Sequence, residues 1–209
     1  MIKQIVVTRP NHDITTNYLY YWTISVIDQA VKASCKLADL AGKRANQKEF
    51  TSVVGKLKPD FIFLNGHGSD DSVCGQDNEI LIKSGENEKI LDETITFSRS
   101  CSSAKILGKF VAKNGNGIFI GYDADFFFFT NGKYLSKPLE DNDAKLFLEP
   151  SNIVAASIIK GNSPELANEK SKKLFKKNIN FCQSTGAPKE NREMVPFLLW
   201  DMDHQVALN

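Results

Sequence analysis

The chain has 209 residues, and its 26 Lys+Arg against 25 Asp+Glu leave a net charge of +1. That balance offers no basic face for a phosphate backbone, so nucleic acid is excluded as the expected partner. With 42% hydrophobic and 24% charged residues, the composition is that of a globular chain, and a single domain over 1–209 is expected.

The run Ile2–Val7 reads as a buried strand that ends in the turn cluster Thr8-Arg9-Pro10-Asn11. Thr15–Ala33 follows helical periodicity, with Leu19, Trp22, Val26, Ile27, Ala30 and Val31 on one face. Cys35–Leu40 is a second strand. Asn46–Leu57 is a helix stopped by Lys58-Pro59-Asp60, because proline expels the preceding residue from helical geometry. Phe61–Leu64 is apolar throughout, as strands buried on both faces are, and runs into Asn65-Gly66-His67-Gly68. Beyond it, Glu79–Ile82 reads as one strand of a hairpin.

Thr94–Ser98 is a fourth core strand. It leads into Arg99-Ser100-Cys101-Ser102-Ser103 and a helix over Ala104–Lys113, closed by Asn114-Gly115. Gly117–Gly121 is a fifth core strand. Helices are expected over Ser151–Ile159 and from the cap Ser163-Pro164 to about Phe181. Pro196–Trp200 and His204–Leu208 read as a terminal hairpin. Alternating strands and helices from residue 2 to 121 predict an α/β fold with a mainly parallel sheet.

No apolar run approaches the ~20 residues of a membrane span, and the first residues read as a strand rather than a leader. Cys35, Cys74, Cys101 and Cys182 are widely spaced, with no CxxC pair and no neighbouring histidine. A disulfide framework or metal cluster is therefore not expected, and the protein reads as reduced and cytoplasmic. No cofactor is expected.

In parallel sheets chemistry gathers just past the carboxyl ends of the strands. Two neighbouring strands end there in reactive residues, one at His67 and the next at Cys101. A thiol and an imidazole on one edge are the two parts of a nucleophile–base pair. The helix expected after Cys101 would favour its thiolate. Gly66 and Gly68 let the backbone approach a substrate closely. The N–H groups of Gly68 and Cys101 would then form an oxyanion hole.

These two blocks, Asn65-Gly66-His67-Gly68 and Ser100-Cys101-Ser102-Ser103-Ala104, resemble the His-Gly and Cys motifs of the caspase-like (clan CD) cysteine peptidases. That superfamily includes caspases, metacaspases, legumains, gingipains, clostripain, separase and the bacterial CHAT-domain proteases. Lys36–Leu40 through Phe61, Gly117–Tyr122, and Phe197–Leu208 resemble further segments of it, the last most like gingipain- and CHAT-type members. The resemblance implies a three-layer caspase–haemoglobinase sandwich. It also implies a cysteine endopeptidase with Cys101 as nucleophile, His67 as acid/base, and a protein or peptide substrate.

Several relatives carry an acidic residue two before the cysteine, where it holds a basic P1 side chain. Here that position is Arg99. Arg99 is therefore expected to favour an acidic or neutral P1. Arg9 is expected as a second substrate-binding cation, since caspases draw a P1-binding arginine from the loop after the first strand. Asp123 is read either as a pocket residue or as a turn residue, and Asp13, Asp123 and Asp125 are the acids able to neutralise Arg99.

His12 reads as solvated, His204 as structural, Cys35 as a small buried hydrophobe, and Phe126–Phe129 as a core strand or dimer surface. The alternative to an enzyme is a catalytically silent binding or signalling module on the same fold; a regulatory partner or a homodimer is a further expected association of the chain. A flavodoxin-like domain with Ser98–Ser103 as phosphate loop ranks last, because that loop lacks the glycine spacing.

Overall fold

A computed structural model describes residues 2–114 and 117–209. Its centre is a sheet of six strands: β1 (Gln4–Arg9), β2 (Lys36–Ala41), β3 (Phe61–Asn65), β6 (Ile95–Arg99), β7 (Ile118–Tyr122) and β8 (Gln205–Leu208). They lie in the order β2-β1-β3-β6-β7-β8, all parallel except β8, which runs antiparallel to β7. A small hairpin, β4 (Ser72–Cys74) with β5 (Ile80–Lys83), stands beyond β3.

Successive strand residues face opposite sides of a sheet, and both sides are apolar here. Val6, Ile62, Leu64 and Phe119 meet Phe50 and Val54 of α3 (Gln47–Leu57) and Val111 of α4 (Lys109–Asn114). Ile5, Val7, Phe61, Phe63, Phe97 and Ile120 meet α1 (Ile14–Trp22), α2 (Ile24–Lys32) and α5 (Asn142–Ile159) through Leu19, Val26 and Ile158. Each such side chain contributes about 1.5–3 kcal/mol of burial. The protein is thus α/β, with helices on both faces of a mostly parallel sheet, an arrangement compatible with three layers. Among the described residues no helix is long and apolar enough to cross a membrane.

Several elements differ from expectation. The helix expected over Thr15–Ala33 is two helices that meet at Thr23. The Thr23 hydroxyl donates back to the Leu19 carbonyl at 2.7 Å, a bond that competes with the helical ladder. The helix after Cys101 opens with a π-turn, Ala104–Gly108, before α4. Gly115 of the expected Asn114-Gly115 stop lies outside the described residues. α5 begins at Asn142 rather than Ser151, capped by Asp141, and carries Pro150 within it.

Pro196–Trp200 is not a strand. It lies in α7 (Val195–His204), with proline in the first turn, where its missing N–H costs nothing. Residues 205–208 do form a strand, but its partner is β7. Phe126–Phe129 is irregular: Phe126 packs on Tyr122 with ring centroids 4.6 Å apart, whereas Phe127 is exposed. α6 (Pro164–Gln183) starts at the Ser163 cap as read from sequence.

Candidate active site at the carboxyl edge of the sheet

β1, β3 and β6 are neighbours, and Asn65 lies in register with Arg99. The loops that leave them therefore start at one edge. The chain leaves β3 through Gly66, at φ +145°, where a Cβ would stand 2.2 Å from the Cys74 carbonyl oxygen. Only glycine fits that conformation and space. At Gly68 a Cβ would stand 2.6 Å from the Cys101 carbonyl oxygen and 2.8 Å from Ser100 Oγ. The histidine loop is thus seated directly on the cysteine loop.

His67 has a partner that the sequence reading did not assign. Its Nε2 lies 2.6 Å from Oδ2 of Asp13. Asp13 caps α1: its Oδ1 accepts from the Thr16 N–H at 2.7 Å, while the Thr16 hydroxyl accepts from the Asp13 N–H at 3.0 Å. One carboxylate therefore closes a helix and orients an imidazole. Burial would raise the Asp13 carboxyl, but the Thr16 bonds and His67 outweigh it and hold the carboxyl below its ordinary value. An ionised acceptor fixes the proton on Nε2 and leaves Nδ1 as the basic nitrogen. Both side chains remain reachable from solvent, at 38% and 37% exposure. The Asp-x-x-Thr cap at the end of the strand beside β3 was the signal for this role.

Cys101 is part-buried, and its thiol donates to the Phe126 carbonyl at 3.8 Å. The expected thiolate is not what the surroundings favour. Burial pushes the thiol up, and Asp125 and Asp201 add to it, against the contact with Phe126. The surroundings favour the neutral thiol over the thiolate. Ser102 sits at φ +56°, a conformation rare outside glycine. It is pinned by its N–H to the Ala124 carbonyl at 2.8 Å and by its hydroxyl to Asp125 at 3.0 Å. Among the described residues the Gly68 N–H has no backbone or side-chain acceptor, and the Cys101 N–H has none outside its own residue.

Arg99 does not line this site. It is 0% exposed. Its guanidinium donates to Asn65 Oδ1 at 2.6 and 2.9 Å, Asn152 Oδ1 at 2.7 Å, Thr23 Oγ1 at 2.7 Å and the Leu19 carbonyl at 3.3 Å. Strand alternation turns it into the helical layer, so its charge cannot face a substrate. Arg9 is also withdrawn: it is 7% exposed, paired with Asp39 and packed over the Tyr20 ring. Asp123 accepts from or shares a proton with His204 Nδ1 at 2.7 Å, which ties β7 to the end of α7. The cationic P1 pocket expected from Arg99 and Arg9 is therefore not formed.

Asp201, on α7, is a further group that sequence reasoning passed over. It is 0% exposed; Oδ1 accepts from the Phe127 N–H at 3.0 Å, while Oδ2 has no partner among the described residues. Burial pushes its carboxyl well above the ordinary range, against the Phe127 bond. A folded value above the unfolded one of about 3.9 means that folding favours the protonated form. That contribution is whole below the unfolded value and is lost as pH rises through the folded one. Asp201→Asn should therefore melt above the parent at pH 8, with the gap closing towards pH 4, as measured by thermal denaturation across that range. A gap independent of pH would mean that the carboxyl is not held protonated.

Compared with known proteins, the chain matches no family model and no curated sequence.

Proposed function

We propose that the chain is a cysteine endopeptidase of caspase-like type, acting on extended protein or peptide segments through Cys101, His67 and Asp13. The observation that carries this reading is the Asp13-held His67 on a loop seated against Cys101. The order of the two motifs on adjacent parallel strands adds to it, as the resemblance to caspase-like peptidases requires.

The chemistry follows from the residues. His67 Nδ1 takes the thiol proton as the Cys101 sulfur attacks the scissile carbonyl. The N–H groups of Gly68 and Cys101 receive the oxyanion. The intermediate collapses to a thioester as His67 returns the proton to the leaving amine. His67 then takes a proton from water, hydroxide adds to the thioester, and the carboxylic acid leaves with the sulfur reprotonated. A neutral resting thiol makes the base indispensable.

With Arg99 and Arg9 turned away, Asp125 is the exposed charge beside the nucleophile. Acidic P1 residues should then be disfavoured about tenfold, equivalent to ~1.4 kcal/mol. Fluorogenic peptides that differ only at P1 test both the activity and this order: cleavage after Arg, Lys or Leu should outpace cleavage after Asp. A preference for Asp would contradict the assigned pocket. One observation favours the silent module instead, the raised thiol of Cys101. Failure of every peptide in such a set to turn over would select that reading.

A further inference from the structure

We propose that His12, Asp13 and His67 form a zinc site that reversibly blocks the catalytic base; the blocking rests on the reading of His67 given above, whereas the site itself does not. One ligand atom from each residue lies within 4.8 Å of the other two. Asp13 Oδ2 stands 2.6 Å from His67 Nε2 and 3.6 Å from His12 Nε2. Atoms sharing a tetrahedral zinc at its usual bond lengths are about 3.4 Å apart. The observed separations bracket that value, so small side-chain rotations complete the triangle.

The donor set selects the metal. Two imidazoles and one carboxylate suit zinc and other late first-row ions, whereas calcium and magnesium demand a shell of oxygens. The loop that presents the ligands is held in place before any ion arrives. The Asn11 N–H donates to Gln76 Oε1 at 2.8 Å and the His12 N–H to Thr16 Oγ1 at 3.0 Å. A shallow cleft of 410 Å³ opens beside Asn11, His12 and Asp13 and gives the ion an entry path and room for a water ligand. Asn78 Oδ1 stands 3.3 Å from His12 Nε2 as a further oxygen donor.

The site is built for exchange rather than permanence. A ligating histidine is usually braced by an acceptor on its other nitrogen. His12 Nδ1 is buried with no partner among the described residues. With one ligand unbraced, affinity falls about 10–100-fold below that of a fully braced site. The consequence for chemistry is direct. Zinc on His67 Nε2 displaces the proton from that nitrogen to Nδ1. The imidazole then presents an N–H to Cys101 and has no lone pair with which to take the thiol proton. Inhibition needs no contact between metal and sulfur.

The test uses the full chain carrying Cys101→Ala, titrated calorimetrically with Zn²⁺ alone and with Mg²⁺ alone. One Zn²⁺ per chain should bind, with affinity reduced about tenfold or more by His12→Ala and by His12→Gln, while circular dichroism stays unchanged. Absence of one-to-one binding, Zn²⁺ affinity in both His12 variants equal to that of the chain with His12 intact, or equal binding of Mg²⁺ would overturn the site. In the parent, micromolar Zn²⁺ should also stop peptide hydrolysis and EDTA should restore it, with His12→Gln needing about tenfold more zinc. Equal inhibition of His12→Gln would overturn the block. If no peptide is hydrolysed, the peptidase reading fails by itself, and the calorimetry still decides the site.

Discussion

Replacing Arg99 with methionine is expected to cost about 3–5 kcal/mol of folding stability, the loss seen when one partner of a buried charged network is removed. Arg99 spans β6, β3, the α1–α2 joint and α5 through five donated hydrogen bonds to amide, hydroxyl and carbonyl oxygens. No carboxylate is among those acceptors, and burial lowers the guanidinium to about 9, so it still carries its charge at neutral pH. Methionine fills much of the volume but strands Asn152 Oδ1 without a donor and leaves Asn65 Oδ1 only the Thr23 hydroxyl at 3.3 Å. For a chain of this size the melting temperature should fall by roughly 6–20 °C. Arg99→Lys should recover only part of this, because one ammonium cannot reach both asparagines at once. Thermal and urea denaturation check the result. Unchanged stability with altered P1 preference would return Arg99 to the substrate pocket.

His67→Ala should lower turnover by about 10²–10⁴, the usual worth of an acid/base group. Cys101→Ala should abolish it while leaving the fold intact. Asp13→Asn separates positioning from structure. Asparagine caps a helix about as well as aspartate, so α1 should survive. An amide nevertheless offers His67 either an N–H or a neutral oxygen, and the fixed tautomer is lost. Turnover should fall roughly 10- to 100-fold, with a displaced acidic limb in the pH–rate profile. His204→Ala should stay within a few-fold, since His204 is tied to Asp123 at the end of α7. Peptide hydrolysis across pH checks all four. An Asp13→Asn variant with the parent's profile would reduce Asp13 to a helix cap.

The core strands were legible because a strand buried on both faces needs a continuous apolar run, as Phe61–Leu64 has. That the loops of His67 and Cys101 start at one edge of the sheet followed from parallel order alone. Other features depend on partners that a sequence does not display. Arg99 was read by its distance from Cys101, but strand alternation turned it into the helical layer of α1, α2 and α5. Pro196–Trp200 is an apolar run too short for its period to separate strand from helix. Asp13 was weighed as a charge, whereas its cap geometry decided which neighbour it could reach. The raised thiol of Cys101 comes from its burial and then from Asp125 and Asp201, against the contact with the Phe126 carbonyl, and these groups are distant in sequence and brought together by the fold.

As proposed above, Cys101 is a nucleophile activated by His67. Burial raises all four thiols, Cys35, Cys74, Cys101 and Cys182, so a small alkylating agent is not expected to single one out. A peptidyl acyloxymethyl ketone with Leu or Arg at P1 requires both a substrate groove and a base. Mass spectrometry of the full chain after such treatment should find one adduct per molecule, mapped to Cys101 and absent in His67→Ala. Labelling spread over the other cysteines, or an adduct at Cys101 that forms as fast in His67→Ala, would contradict the account.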